Sequence, residues 1–154
     1  VRLSPDTTGP GAVPWHHFSG YHYDDTTIIG FPHLHFHGTG ASGYGNLLMM
    51  PVAGFTPDKI RPARYRSRFD KASEVASPGY YAARLANGDV LAELTSTGRA
   101  GMHRYTFGDV SAGAAVVIDA GYMLGDAKAR DIELEVDVAA RRITGRHRAS
   151  GGMS

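Results

Sequence analysis

Residues 79–98 read GYYAARLANGDVLAELTSTG. Two runs rich in aromatic, β-branched and aliphatic residues, 79–85 and 90–98, flank Asn87-Gly88. An Asn-Gly pair between two such runs is the strongest short hairpin signal, because both residues accept the left-handed backbone that a tight turn needs. The rest of the chain repeats this β character. Residues 26–31 (TTIIGF), 46–52 (NLLMMPV), 101–107 (GMHRYTF) and 114–122 (AAVVIDAGY) read as further strands, with Pro51 ending the second or placing it on an edge. Residues 131–139 (DIELEVDVA) alternate strictly. Ile132, Leu134, Val136 and Val138 point one way, and Asp131, Glu133, Glu135 and Asp137 the other, which predicts one buried and one wet face. Residues 141–148 are expected to pair back on that strand. No stretch holds a helical period with caps. About eight short strands at this spacing predict an all-β, antiparallel β-sandwich or barrel.

Composition narrows the function. The 154 residues suit one domain with a real core. Sixteen basic and fifteen acidic side chains leave a formal charge of +1, which argues against nucleic acid or a membrane surface as partner. No cysteine is present, so disulfide and thiolate chemistry are excluded. No apolar run approaches the ~20 residues of a membrane span. Residues 53–73 carry six basic side chains, Lys59 to Lys71. They read as a solvated connection more readily than as an anion clamp.

Two segments concentrate chemistry. In FPHLHFHGTG (31–40), His33, His35 and His37 share one face of an extended chain. Imidazoles so placed suit zinc or another transition metal, but no carboxylate follows nearby to complete a site, and Gly38 and Gly40 favour a turn that carries His37 away. In WHHFSGYHYDD (15–25), Trp15, His16, His17, Tyr21, His22, Tyr23, Asp24 and Asp25 combine flat aromatic faces, imidazoles and carboxylates. That mixture suits a sugar, whose apolar face packs on a ring while its hydroxyls exchange hydrogen bonds. The alternative is that Trp15 and the tyrosines lie in the core and backbone groups satisfy the histidines.

The runs VRLSPDT (1–7), 15–40, YGNLLMMP (44–51), ASPGYYAARL (76–85), AELTSTGRAGMHRYTF (92–107) and RHRASGG (146–152) resemble, in order, the N-terminal β-sandwich domain of glycoside hydrolase family 92, mainly exo-acting α-mannosidases. The resemblance implies a super-sandwich that packs on a C-terminal (α/α) barrel, calcium dependence, an extracellular or periplasmic location, and inverting hydrolysis of a mannose-containing glycan. Inversion uses an acid and a base about 6.5–9.5 Å apart, and in the family both belong to the C-terminal domain. The chain therefore reads as an internal piece of an N-terminal domain, incomplete at both ends. By itself it should be inactive and marginally stable. The implied substrate-binding residues are Trp15, His16, Tyr21, His22, Asp24 and Asp25, with His33 and His35 behind them. No catalytic residue and no metal ligand is expected in this chain, the calcium belonging mainly to the other domain. The chain departs from the family at His16, His17 and Phe18, where relatives usually continue Trp-x-Trp-Cys, at Leu34, Phe36 and His37, and at Asn46, where aspartate is common. His33 and His35 match the family pattern, and His37 does not. Two other readings stay open: a stand-alone carbohydrate-binding or structural sandwich, and a small metalloprotein using His33, His35 and His37.

Overall fold

A computed structural model describes residues 2–36 and 41–150. His37, Gly38 and Gly40 lie outside the described residues, and so does the turn expected there. The fold is all-β and antiparallel. Strands β1 (Thr27–Ile28), β4 (Ser67–Ser77), β5 (Tyr80–Leu85), β6 (Val90–Ser96) and β7 (Gly101–Phe107) form one sheet in the order β1-β4-β5-β6-β7. Strands β2 (Phe31–His35), β3 (Tyr44–Ala53) and β8 (Ala114–Asp119) form a second, with β3 in the middle. Strands β9 (Lys128–Asp137) and β10 (Arg142–Ser150) pair only with each other.

The first two sheets bury a shared core, and period-2 alternation builds it. Leu48, Met50 and Val52 point inward from β3, and Val90, Ala92 and Leu94 from β6. Phe31, Leu85 and Val117 join them. Each buried large aliphatic or aromatic side chain stabilises by roughly 1.5–3 kcal/mol relative to exposure. Asn87-Gly88 makes the expected hairpin between β5 and β6, with Leu85 opposite Val90. Gly88 has φ +82°, and a Cβ there would fall on that of Ala53, so glycine is required on two counts. Pro51 does not end its strand. It lies opposite Val116 of β8, where β3 has run past its pairing with β2, so the strand is locally an edge and the missing N–H costs nothing.

The basic connection folds into two single turns, Pro57–Ile60 and the helix α1 (Pro62–Tyr65), before β4. Its cations are mostly solvated, as in the exposed Arg64–Asp58 pair at 3.7 Å.

One expectation is overturned. The strict alternation of β9 does not bury a face. Ile132, Leu134, Val136 and Val138 are 45%, 52%, 64% and 82% exposed. The apolar side of the hairpin, with Leu134 and Ile143, faces Leu34, Leu47, Met49 and Ile118 of the second sheet across an open cavity and not in closed packing. Its polar side is tied instead across the pair: Arg146 opposes Glu133 and donates to both its carboxylate oxygens at 2.8 Å, and Arg142 opposes Asp137 at 3.7 Å. Exposed apolar side chains on a two-stranded ribbon promote association. Replacing Val136 and Val138 by Lys should reduce concentration-dependent self-association of the 154-residue chain, read by light scattering. Thermal unfolding should show a stability change within about 0.5 kcal/mol.

Candidate functional site

The loop 15–25 is shaped by its own backbone and by one buried carboxylate. Residues Trp15–His17 make a single 3₁₀ turn. His17 N–H donates to Pro14 O at 2.8 Å, and Gly20 N–H to His17 O at 2.8 Å. Beneath this turn lies Asp6, which is fully buried. Its backbone bridges to Gly30, with Asp6 N–H on Gly30 O at 2.9 Å and Ile29 N–H on Asp6 O at 2.7 Å. Tyr122 O–H donates to Asp6 Oδ2 at 2.7 Å. His35 Nε2 lies 2.9 Å from Asp6 Oδ1, an ion-pair distance without the alignment of a hydrogen bond. Burial pushes the Asp6 carboxyl above its ordinary value, against the opposing effects of His35, Tyr122 and Arg2. Gly20, at φ +87°, stands over this group, and a Cβ there would fall on Asp6 Oδ1.

The sequence-derived candidates therefore separate. Trp15 is 70% exposed and is not a core residue. His16 is exposed beside it, with ring centroids 6.5 Å apart, and also lies 5.0 Å from His22. Asp24 and Asp25 sit at and just after a turn and diverge. Asp24 points to solvent, 3.9 Å from His22 Nδ1. Asp25 turns in, and His17 Nε2 meets its Oδ2 at 2.8 Å. Burial raises the Asp25 carboxyl, but hydrogen bonds from Thr7 and His17 and the charges of His17 and His22 outweigh it, so it stays below the ordinary carboxylate range. The His17 and His22 rings stack 4.9 Å apart.

Tyr21 is half-buried and committed elsewhere. Its hydroxyl donates to Glu74 at 2.9 Å and accepts from Lys71 Nζ at 2.6 Å. Tyr81 O–H also donates to Glu74, at 2.8 Å, and Lys71 lies 3.0 Å from Glu74 Oε2. The Lys71 ammonium sits over the rings of Tyr21, Tyr23 and Phe69 at 4.4–4.8 Å. This cluster braces the loop against β4 and β5.

The two strand histidines have their partners in the interior and between the sheets. His35 is buried, and its side chain faces Asp6 rather than solvent. The sequence reading set it behind the loop. The structure sets it in the interior, because Asp6 arrives there from 29 residues upstream and Gly20 leaves room for both. His33 instead joins a hydrogen-bonded chain with His103 and Tyr105 across the two sheets. Tyr105 O–H donates to His103 Nδ1 at 2.7 Å, His103 Nε2–H to His33 Nε2 at 3.0 Å, and His33 Nδ1–H to Leu47 O at 3.0 Å. These tautomers are the set that satisfies every partner. Spacing gave no sign of Asp6, Glu74, Lys71 or His103, since each reaches its partner over tens of residues. His17 was visible as one of two adjacent imidazoles.

The class defined so far is an antiparallel β domain that displays an aromatic, imidazole and carboxylate loop outside its core. The family model of the glycosyl hydrolase family 92 N-terminal domain matches residues 1–154. The chain belongs to that family. It is similar to a family 92 α-mannosidase from Bacteroides thetaiotaomicron solved in complex with mannoimidazole, at 36% identity and a TM-score of 0.69, over 82% of this chain and 17% of that one. It is also similar to ccman5, a family 92 glycosyl hydrolase, at 26% identity and a TM-score of 0.69, over 88% of this chain and 19% of that one. A secreted glycosidase of Arthroderma benhamiae, itself uncharacterized, is 32% identical over 97 residues, which is 58% of this chain and 12% of that protein. The chain thus spans less than a fifth of the length of these relatives. Among the described residues no helix is long and apolar enough to cross a membrane.

Two outcomes test the buried groups. Asp6→Ala should cost about 3–5 kcal/mol, because it leaves His35 and Tyr122 buried without their partner; urea unfolding of the variant beside the parent reads this. Burial first, then the His33 charge, holds His103 at a pKa of about 4, down from 6.5. The unfolded chain therefore takes up this proton first. The contribution is fully present above pH 6.5, is lost as pH falls toward 4, and levels off below. A His103→Gln variant should show a flatter fall in unfolding free energy between pH 6.5 and 4 than the parent.

Proposed function

We propose that this chain is part of the N-terminal domain of an exo-α-mannosidase-like glycoside hydrolase, and that its loop 15–25 forms one wall of the substrate cleft. The observation that carries this reading is Trp15: a large ring, 70% exposed, fixed on a 3₁₀ turn beside imidazoles and carboxylates. An exposed indole beside fixed polar groups is the combination a pyranose ring recognises. Trp15 packs on the apolar face of the mannose. His16, the Asp24 carboxylate and His22 through Nε2 exchange hydrogen bonds with its hydroxyls, while His22 Nδ1 accepts from Asp24 N–H at 3.3 Å. Asp25, tied to His17, orients that imidazole. Tyr21 positions the loop through Glu74 and Lys71 and does not itself meet the sugar. His33 supports the wall from the sheet behind.

The acid and base of an inverting reaction belong to the C-terminal domain of the whole enzyme in this reading. Asp24 and Asp25 diverge, and Glu74 is saturated by two tyrosines and a lysine, so neither offers a facing pair about 6.5–9.5 Å across a glycosidic bond. Calcium is assigned to the other domain as well. The one group of three His or carboxylate donors within 4.8 Å among the described residues, His17, His22 and Asp25, has two nitrogens to one oxygen, and calcium takes oxygen ligands. The enzyme is placed outside the cytoplasm, in keeping with the secreted relative.

In the full-length enzyme, Trp15→Ala should lower kcat/KM for an aryl α-mannoside by about 10–100-fold, corresponding to roughly 1–3 kcal/mol of transition-state binding. The domain alone should give no turnover with added calcium. Unchanged kcat/KM in the Trp15 variant would refute the cleft-wall assignment, and turnover by the isolated domain would refute the division of labour.

A further inference from the structure

We propose that His17, His22 and Asp25 form a binding site for a divalent transition-metal ion of the zinc type. One ligand atom from each lies within 4.8 Å of the other two. A tetrahedral zinc with bonds of about 2.0–2.2 Å needs its ligand atoms roughly 3.4 Å apart. The longest separation must therefore close by little more than an ångström, within reach of small side-chain rotations. His17 Nε2 and Asp25 Oδ2 meet at 2.8 Å in a hydrogen bond, and binding a metal would displace the ring proton and move the two atoms apart by roughly 0.6 Å.

The donor set decides the class of ion. Two imidazole nitrogens and one carboxylate oxygen are the set that zinc and other first-row transition ions take, with a further position left for water. The scaffold is partly preorganised. The 3₁₀ turn fixes His17, and His22 N–H donates to Thr7 Oγ1 at 3.0 Å. The rings of His17 and His22 stack at an interplanar angle of 29°. His16 adds a third imidazole, with its centroid 4.6 Å from that of His17 and 5.0 Å from that of His22, on the solvent side. His17 Nδ1 is buried without a hydrogen-bond partner among the described residues. A ligating histidine usually donates its other N–H, and lack of that support lowers metal affinity by about 10–100-fold. The site should therefore exchange its metal, unlike a structural zinc centre. It stands on its own donor atoms and does not depend on whether the loop faces a glycan.

The strand histidines do not compete for this role. Both ring nitrogens of His33 and of His103 are engaged, with each other, with Leu47 O and with Tyr105 O–H, and His35 faces Asp6 in the interior.

The test uses untagged full-length protein stripped with a chelator. Calorimetric titration with zinc should add binding at this site that Asp25→Asn and His17→Gln, each with a native circular dichroism spectrum, weaken at least tenfold, while His33→Gln leaves it unchanged. In the parent protein, zinc should protect His17 and His22 from acylation by diethyl pyrocarbonate, mapped by mass spectrometry, and millimolar calcium should not. That measurement requires no variant to fold. Absence of zinc binding, zinc binding unaltered in both variants, or equal protection by calcium would overturn the proposal.

Discussion

The buried carboxylate of Asp6 is the contact on which the display of the loop depends. A charged or polar group with no access to water must be partnered inside the protein. Asp6 finds its partners on segments remote from it in sequence. Tyr122 donates to one oxygen, His35 approaches the other, and the backbone of Asp6 pairs with Gly30. Gly20 fits over the group only because it has no side chain. Thr7 and Thr8, next in the chain, take Gly20 O through their backbone N–H groups at 2.7 and 3.3 Å. The loop carrying Trp15, His16, His22 and Asp24 is thereby seated on a fixed floor, although few of its own side chains are buried. Preorganisation of this kind lets exposed side chains bind without first paying to be ordered.

The eight histidines of the chain show how a fold sorts one residue type into several tasks. His35 partners a buried carboxylate. His33 and His103 form a hydrogen-bonded link between the two sheets, with burial favouring the neutral form of His103. His147 joins the hairpin to the rest, with Nδ1 on Ala120 O at 2.9 Å and Nε2 on Asn46 at 3.2 Å. Among the described histidines, His16, His17 and His22 gather on one loop, with His16 exposed. Imidazole suits all these settings because it is donor and acceptor at once and changes charge near neutrality.

The hairpin β9–β10 stands apart in character. Its charged side is tied by arginine–carboxylate pairs, and its apolar side is open. Exposed apolar side chains along a two-stranded ribbon are a ready surface for association. The relatives are more than five times longer than the matched region, since 17% and 19% of the solved chains are covered.

Much of the fold was legible in the chain. The Asn87-Gly88 turn, the apolar runs of β3 and β6, the alternating run of β9 and the return of β10 all followed from composition, period and turn residues a few positions apart, where the backbone itself imposes the spacing. The sequence of quoted runs, taken together, also pointed to the family that the whole chain matches. Strand alternation told which residues share a face, but not whether anything covers that face, and so Ile132 to Val138 were expected inside and lie outside. Trp15, His16 and Asp24 were recognisable as candidates because their chemistry sits within one loop. Asp6 with His35, Tyr21 with Glu74, and His33 with His103 were not, since partners 29, 53 and 70 residues apart are joined only when the sheets close. The chain's local periods determined its strands and turns by themselves. Which histidine is buried, which is spent in a link and which is free was decided by the tertiary structure, because burial and partnership depend on what the rest of the chain brings to each side chain.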